Sequence, residues 1–381
     1  MIDLNTFHFA EQPLPNWRRA VLKVGSSLLA ADGGGLTPRH VLDLAQFVAT
    51  SQFQGREVII VSSGAVAAGR AIAPKKSSAS SKMIAARQAF AALGQAQLIA
   101  LWQRFFERPV AQVLVTHDEL RNRRRYLNAR AALNELLALG ALPVVNENDT
   151  VSVDELKLGD NDNLAAIIAA LVNADALFIA TDIDGLYTAD PRRNPQAEAV
   201  TQVKTLTDAV IAMASGRGSM AGTGGMQTKL QAAAKAGAAG IDTFLFNGGN
   251  GEVVRALARG RLYGTRLYAG QTRIAARKYW LRHTQVEPGA VFIDNGAAKA
   301  LREKGASLLP GGVINVEGEF RRGDMIEVRT PGVAFALARG ISQYSATDIS
   351  RILGQHSRQI ITILGYSHGD NVIHRDDMVL L

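Results

Sequence analysis

From residue 18 to about residue 250, short apolar runs alternate with longer stretches whose apolar residues recur at helical spacing. The runs at 20–24, 58–61, 110–115, 141–145, 176–180 and 241–246 are brief and nearly continuous. They read as buried strands, because a strand covered on both faces has no wet side and need not alternate. Residues 38–50 read as a helix with Pro38 in its first turn, where the missing N–H has no intrahelical partner to lose. Small residues follow the second strand and open another helix. Residues 82–106 read as mostly helix, rich in Ala, Gln and Leu; Asp118 caps a long helix to Leu139; residues 226–238 form an Ala-rich helix. Strands alternating with helices predict an α/β domain with a mostly parallel sheet sandwiched by helices. Ligands of such sheets bind beyond the carboxyl ends of the strands, so the residues that follow each strand matter most.

The pattern changes after about residue 272. Short strands at 290–293, 313–316, 325–328 and 333–337 now alternate with glycine turns, which predicts a small, separate β-rich domain. Residues 265–285 read as the connection. Residues 1–17 carry two prolines and no clear period, and read as an extension. The expected organisation is therefore an extension at 1–17, a main domain at 18–272 and a C-terminal domain at 273–381. The segment APKKSSASSK at 73–82 is a low-complexity loop, and there is no internal repeat.

Composition narrows this picture only at its edges. The chain has 381 residues, 47% of them hydrophobic and 20% charged, enough to bury a sizeable core. Without cysteine there is no disulfide framework, thiolate chemistry or zinc–cysteine site. The N-terminus lacks the basic start and apolar core of a signal peptide, and no run of about 18 apolar residues spans a membrane. The formal charge of +8 suits anionic ligands such as nucleotides, or nucleic acid. Residues 273–381 hold 14 Lys+Arg against 11 Asp+Glu, a net of +3, which is weak support for a dedicated RNA surface.

Candidate chemistry sits at the strand ends. The first strand ends in LKVGSS, where Lys23 can set its charge on phosphate oxygens and the following N–H groups can form an anion nest. The bland alternative is a surface lysine. No GxxxxGK[ST] occurs, so this is no Walker A loop. The second strand ends in VSSGAV: small residues opening a helix offer N–H donors to a carboxylate or phosphate, or Ser62 and Ser63 simply cap the helix. The fourth strand runs into NENDT, with GDNDN at 159–163. A free amino acid needs a carboxylate for its ammonium group and amide donors for its carboxylates. Asp149 and Asn161 supply those types, unless they are solvated turn residues. The fifth strand ends in TDIDGLYTADP, where Asp182 can hold nucleotide or metal or merely begin a turn. GTGGMQTK at 222–229 precedes a helix: its glycines let the backbone approach phosphates and Lys229 falls on the first turn, although a flexible linker has the same composition. His117 reads as a helix-start residue, no HExxH occurs, and the arginines at 121, 123, 124 and 125 read as a solvated face or an oligomer contact.

The series LKVGSSLL, VIIVSSGAVAAG, LPVVNENDTV, GDNDNLAA, TDIDGLYTADPR and GTGGMQTK resembles the amino acid kinase superfamily, and within it the glutamate 5-kinase family. By that resemblance, Lys23 contacts ATP phosphates and stabilises the transferring phosphoryl group. Ser63, Asp149 and Asn161 contact glutamate, and Thr181 and Asp182 lie at the nucleotide. Thr223, Gly224, Gly225, Met226, Gln227, Thr228 and Lys229 cover its phosphates. Asp162 matches a position near the catalytic lysine, so the implied catalytic set is Lys23, Asp162 and Lys229. The implied reaction makes γ-glutamyl phosphate from ATP and L-glutamate, with Mg²⁺ held mainly by the nucleotide phosphates and no metal ligands from the protein. Proline inhibition, a homo-oligomer and a cytoplasmic location are further implications. IDNGAAKAL, SLLPGGV and RGD at 293–324 resemble a PUA domain, which implies a capacity for RNA. The competing readings are another amino acid kinase, for aspartate or acetylglutamate, and an RNA-binding protein on a kinase-like scaffold.

Overall fold

A computed structural model describes residues 9–31, 34–74, 84–152, 161–214, 225–270, 289–333 and 335–381. The side chains of Asp118, Arg121, Arg123 and Arg124 are not among those described, nor is most of the loop at 73–82. The chain divides into two compact units, one of residues 1–122 and 128–273, the other of residues 123–127 and 274–381.

The first unit opens with strand β1 (Glu11–Pro13), strand β2 (Arg19–Val24), the single turn α1 (Ser26–Leu29) and helix α2 (Val41–Phe53). It continues through β3 (Glu57–Ser62), α3 (Ala65–Ile72), α4 (Ile84–Gln103), β4 (Val110–Val115), α5 (His117–Arg121), α6 (Arg123–Ala138) and β5 (Leu142–Glu147). Then come α7 (Asn161–Leu171), β6 (Ala176–Thr181), the hairpin β7 (Leu186–Tyr187) and β8 (Ala199–Val200), and β9 (Gln202–Val203). Helix α8 (Asp208–Met213), α9 (Met226–Ala238), β10 (Asp242–Asn247), α10 (Gly251–Ala258) and β11 (Arg261–Leu267) complete it.

Six strands run parallel in the order β10-β6-β2-β3-β5-β4, and these are the six apolar runs read from the sequence. Beyond β10 the sheet turns antiparallel: β11 pairs with β10, and β1 pairs with β11. Val24 lies level with Ala180 on one side and Ser62 on the other, and Val61 lies level with Val145. The carboxyl ends of four neighbouring central strands therefore finish along one edge. The core beneath is aromatic at its centre: Phe178 packs 5.5 Å from Trp17, 5.6 Å from Phe47 and 5.1 Å from Phe244 between ring centroids.

Four sequence expectations need correction. Residues 9–17 are not a loose extension: β1 pairs with β11, Gln12 donates to the carbonyls of Gly264 (3.0 Å) and Thr201 (3.1 Å), and Trp17 belongs to the core. The helix expected from Asp118 to Leu139 is two helices broken near Asn122, and Asp118 lies inside the first. Its cap is Thr116, whose Oγ1 accepts from Glu119 N (3.1 Å) while Glu119 Oε2 accepts from Thr116 N (3.0 Å), a reciprocal box. Residues 265–267, expected in the connection, close β11.

The fourth concerns the second unit, a five-stranded sheet in the order β13-β12-β14-β15-β16. Its strands are β12 (Gly289–Ile293), β13 (Val313–Gly318), β14 (Met325–Arg329), β15 (Ala338–Ile341) and β16 (Met378–Leu380). The described residues of the strand expected at 333–337 are loop instead. Gly332 turns the chain at φ +76°, Val333 and Phe335 face solvent, and pairing begins only at Ala338. This unit has its own core, including Val291, Ile293, Ile326, Val328 and Tyr344.

Candidate active site

Lys23 is the next-to-last residue of β2, and its side chain passes through apolar surroundings to the carboxyl edge of the sheet. Only 5% of it is exposed. Its Nζ lies 2.6 Å from Oδ1 of Asp162, which is fully buried in the first turn of α7. Lys229, on the first turn of α9 and 4% exposed, reaches the other oxygen, Oδ2, at 3.3 Å. Thr228 Oγ1 adds a hydrogen bond to Oδ2 at 2.7 Å. Two lysines share one carboxylate, so the cluster carries one positive charge beyond neutrality.

Burial pushes the Lys23 ammonium below the usual lysine value, and Lys229 pushes the same way, while Asp162 opposes both. For Asp162, burial is the largest influence and disfavours the anion. Lys23 and Lys229, with hydrogen bonds from Lys23 and Thr228, outweigh it and hold the carboxyl below its usual value. Removing one member of such a buried set leaves an uncompensated charge and costs about 3–5 kcal/mol. The surplus positive charge is a seat for an anion, and a phosphoryl group fits it.

The neighbouring residue points elsewhere. Asn161 Nδ2 donates to Ser63 Oγ at 2.7 Å, at the end of β3, and to Asn146 Oδ1 at 2.9 Å, on β5. Ser63 lies just before Gly64, which starts α3 at φ +110° and has Leu29 and Leu36 packed where a side chain would begin. The first turn of α7 thus joins two groups: a charged one through Asp162 and an amide–hydroxyl one through Asn161. Asp149 sits half-buried in the turn after β5. Burial raises its carboxyl above the usual value, and Arg87 on α4 pulls partly the other way.

On the far side of Lys23, Thr181 ends β6 and its hydroxyl lies 3.2 Å from Asp182 Oδ1. Asp182 faces an open, polar cleft of about 510 Å³ that Ser27, His40 and Asn247 also line. Gly25 lies between them, its N–H donating to the Ala180 carbonyl at 3.4 Å.

The structure brings together Lys23, Asp162, Lys229 and Thr228, and separately Ser63 and Asn161. Gly225 caps α9 and Met226 is half-buried, but Gln227 is exposed. Thr223 and Gly224 lie outside the described residues. Sequence reasoning named Asn146 only as part of the polar NENDT cluster and passed over Gln95; they are a 3% and an 8% exposed amide joined by an Asn146 Nδ2 to Gln95 Oε1 hydrogen bond of 3.0 Å. Their signal was available: α4 presents Gln88, Gln95 and Trp102 seven residues apart, two helical turns each, on one stripe. All three reach this edge: Gln88 to the Ser152 carbonyl (3.3 Å), Gln95 to Asn146, and Trp102 Nε1 to Ser62 Oγ (3.0 Å).

Among the described residues, no group of three or more His, Cys, Asp and Glu side chains is placed to hold a metal ion, and no helix is long and apolar enough to cross a membrane. The family model of the amino acid kinase family matches residues 18–247, and that of the PUA domain matches residues 289–364. The chain is 73% identical over 364 residues to the glutamate 5-kinase of Xanthomonas axonopodis pv. citri, covering 95% of this chain and all of that one. It is 69% identical over 376 residues to the glutamate 5-kinase of Xylella fastidiosa strain M12, with 98% of each covered.

Proposed function

The chain belongs to the amino acid kinase family, among its glutamate 5-kinases, and from that premise we infer that it phosphorylates the side-chain carboxylate of L-glutamate with ATP, the first step of proline biosynthesis. The observation that carries the reading is the first turn of α7, where a buried cationic cluster at Asp162 adjoins an amide and hydroxyl cluster at Asn161.

In this reading a glutamate γ-carboxylate oxygen forms the new bond to the γ-phosphorus of ATP as the bond to the β-phosphate oxygen breaks, giving γ-glutamyl phosphate and ADP. The carboxylate is ionised near neutral pH, so no general base is needed. The remaining task is alignment and neutralisation of charge. Lys23 and Lys229 face the charge that develops on the transferring group, and Asp162 holds both ammonium groups in place. Ser63 and Asn161 hold glutamate carboxyl and amino groups, and Asp149 takes the ammonium group. Thr181 and Asp182 hold the nucleotide, with residues 223–229 over its phosphates. The surplus positive charge of the buried cluster fits those phosphates. Mg²⁺ bound with ATP would neutralise phosphate charge, carried by the nucleotide rather than by a set of protein carboxylates.

We extend the proposal to the whole chain. Residues 18–272 perform the catalysis, and residues 273–381 form a domain that is not needed for it. Inhibition by proline, assembly into homo-oligomers, RNA binding through the PUA domain and a cytoplasmic location belong to the same reading.

The test traps the acyl phosphate with hydroxylamine in the presence of ATP and Mg²⁺, offering glutamate, aspartate and N-acetylglutamate in turn. Hydroxamate should form with glutamate at a kcat/KM at least about 100-fold above the others, since an unpaired buried polar group penalises the wrong ligand by several kcal/mol. Equal turnover of aspartate or N-acetylglutamate would reassign the substrate.

A further inference from the structure

Gln95 holds its amide in an orientation that leaves part of it unpaired. The backbone N–H of Glu147 can only donate, and it donates to Asn146 Oδ1 at 2.9 Å. That oxygen also accepts from Asn161 Nδ2. The Asn146 amide is therefore fixed with its Nδ2 toward Gln95, whose Oε1 must accept. Among the described residues, Gln95 Nε2 is buried with no hydrogen-bond partner. A buried unpaired donor is costly, and nearly all such groups in folded proteins are paired. The three amides therefore form a chain with one allowed polarity.

We propose that Gln95 is a positioning residue for glutamate, acting through Asn146 on Asn161. The chain runs Gln95 Oε1, Asn146 Nδ2 and Oδ1, Asn161 Nδ2. With both protons of Asn161 Nδ2 committed, one to Asn146 and one to Ser63, its Oδ1 is the group left to face a ligand. Asn161 then presents an acceptor, suited to an ammonium group. Ser63 Oγ already accepts from Asn161, so its own proton is free for a carboxylate. Only if Asn146 and Asn161 reversed together would a donor stand where the ammonium group binds, and the Glu147 N–H and Gln95 Oε1 both oppose that reversal.

The rest of the stripe on α4 keeps the chain in register. Trp102 is fully buried and holds Ser62, the residue before Ser63. Gly94 is pressed so closely against α3 that a Cβ would fall 1.9 Å from the Ala65 carbonyl. Gln95 thus stands on a helix that cannot easily slide.

This inference rests on the reading that Asn161 and Ser63 hold glutamate, and the experiment separates the two. Gln95→Met keeps the volume and removes the oxygen, and it should raise the KM for glutamate about 10-fold while the KM for ATP moves less than about twofold. Gln95→Glu restores an oxygen at the same reach and should bring the glutamate KM back to within about threefold of the parent. In an Asn161→Ala background, Gln95→Met should add less than about twofold, because the residue it acts through is gone. A 10-fold effect that persists in that background, or equal rises in both KM values, would overturn the proposal. If Gln95→Met does not fold, Gln95→Asn, one methylene too short to reach Asn146, is measured in its place with the same expectations. An Asn161→Ala variant with an unchanged glutamate KM would remove the reading of the site as well as this inference.

Discussion

Burial raises the Asp149 carboxyl above its usual value, so as pH falls it takes up its proton before an ordinary aspartate would. In the proposed role it must be ionised to hold the ammonium group of glutamate. The γ-carboxylate of glutamate, with an ordinary pKa of about 4.3, must be ionised as well. The acid limb of log kcat/KM for glutamate should therefore approach a slope of two, since this ratio reports the free enzyme and free substrate. Asp149→Asn should leave a slope of one and raise the glutamate KM roughly 10- to 100-fold, the equivalent of a charge-assisted hydrogen bond of about 1.5–3 kcal/mol. Equal slopes in the two proteins would remove Asp149 from substrate recognition. Asp162 behaves in the opposite sense. Its folded pKa is depressed, so the stability it contributes is fully present above the unfolded carboxylate value of about 3.9 and is lost only as pH falls through the lower folded value.

At the scale of elements, the crossing of α3 and α4 is the tightest described contact in the first unit. Besides the clash at Gly94, a Cβ on Gly69 would fall 1.8 Å from the Phe90 carbonyl. Both obstacles are backbone, which cannot rotate away. Gly94→Ala should force the helices apart, cost on the order of 1–3 kcal/mol and lower Tm by several degrees. Because Gln95 is the next residue, the glutamate KM should rise with it. An unchanged melting curve would mean that the helices can separate freely.

The six central strands could be read directly because burial on both faces makes them plain apolar runs. The edge strands could not. β1 contains a proline and only three residues, and β11 carries Arg261, Gly264 and Arg266, so neither shows the pattern of a buried strand. The apolar run at 333–337 misled for the converse reason: it is as apolar as a buried strand, but among its described residues only Leu337, at its end, bonds to β14. In the site, Lys23 and Ser63 were visible because they stand at the ends of strands that the sequence marks. The stripe of Gln88, Gln95 and Trp102 marks Gln95 as facing the same edge, but the role of Gln95 and Asn146 depends on which way an amide faces, and no spacing encodes that.

For the molecule as a whole, every residue assigned to chemistry lies before residue 230, and the second unit has its own core. A domain with its own core can usually be removed without unfolding its neighbour. A chain ending at Arg273 should stay folded and form hydroxamate from glutamate with kcat/KM within about threefold of the full chain. Residues 123–127, which group with the second unit, remain behind in that truncation, so a lower Tm is expected alongside retained activity. Folded protein with no hydroxamate would assign the C-terminal domain a part in catalysis.

The pairing of β1 with β11 sets a clock on synthesis. Glu11 lies opposite Tyr263, with its carboxylate bonded to the Tyr263 hydroxyl across 252 residues of chain. A ribosome adding about 5–20 residues per second takes roughly 13–50 s to cover that distance. For all of that time β1 waits for β11, the strand it pairs with. The short length of β1 and its proline are what such a wait calls for, because a segment of three residues with a missing N–H is a poor template for another chain.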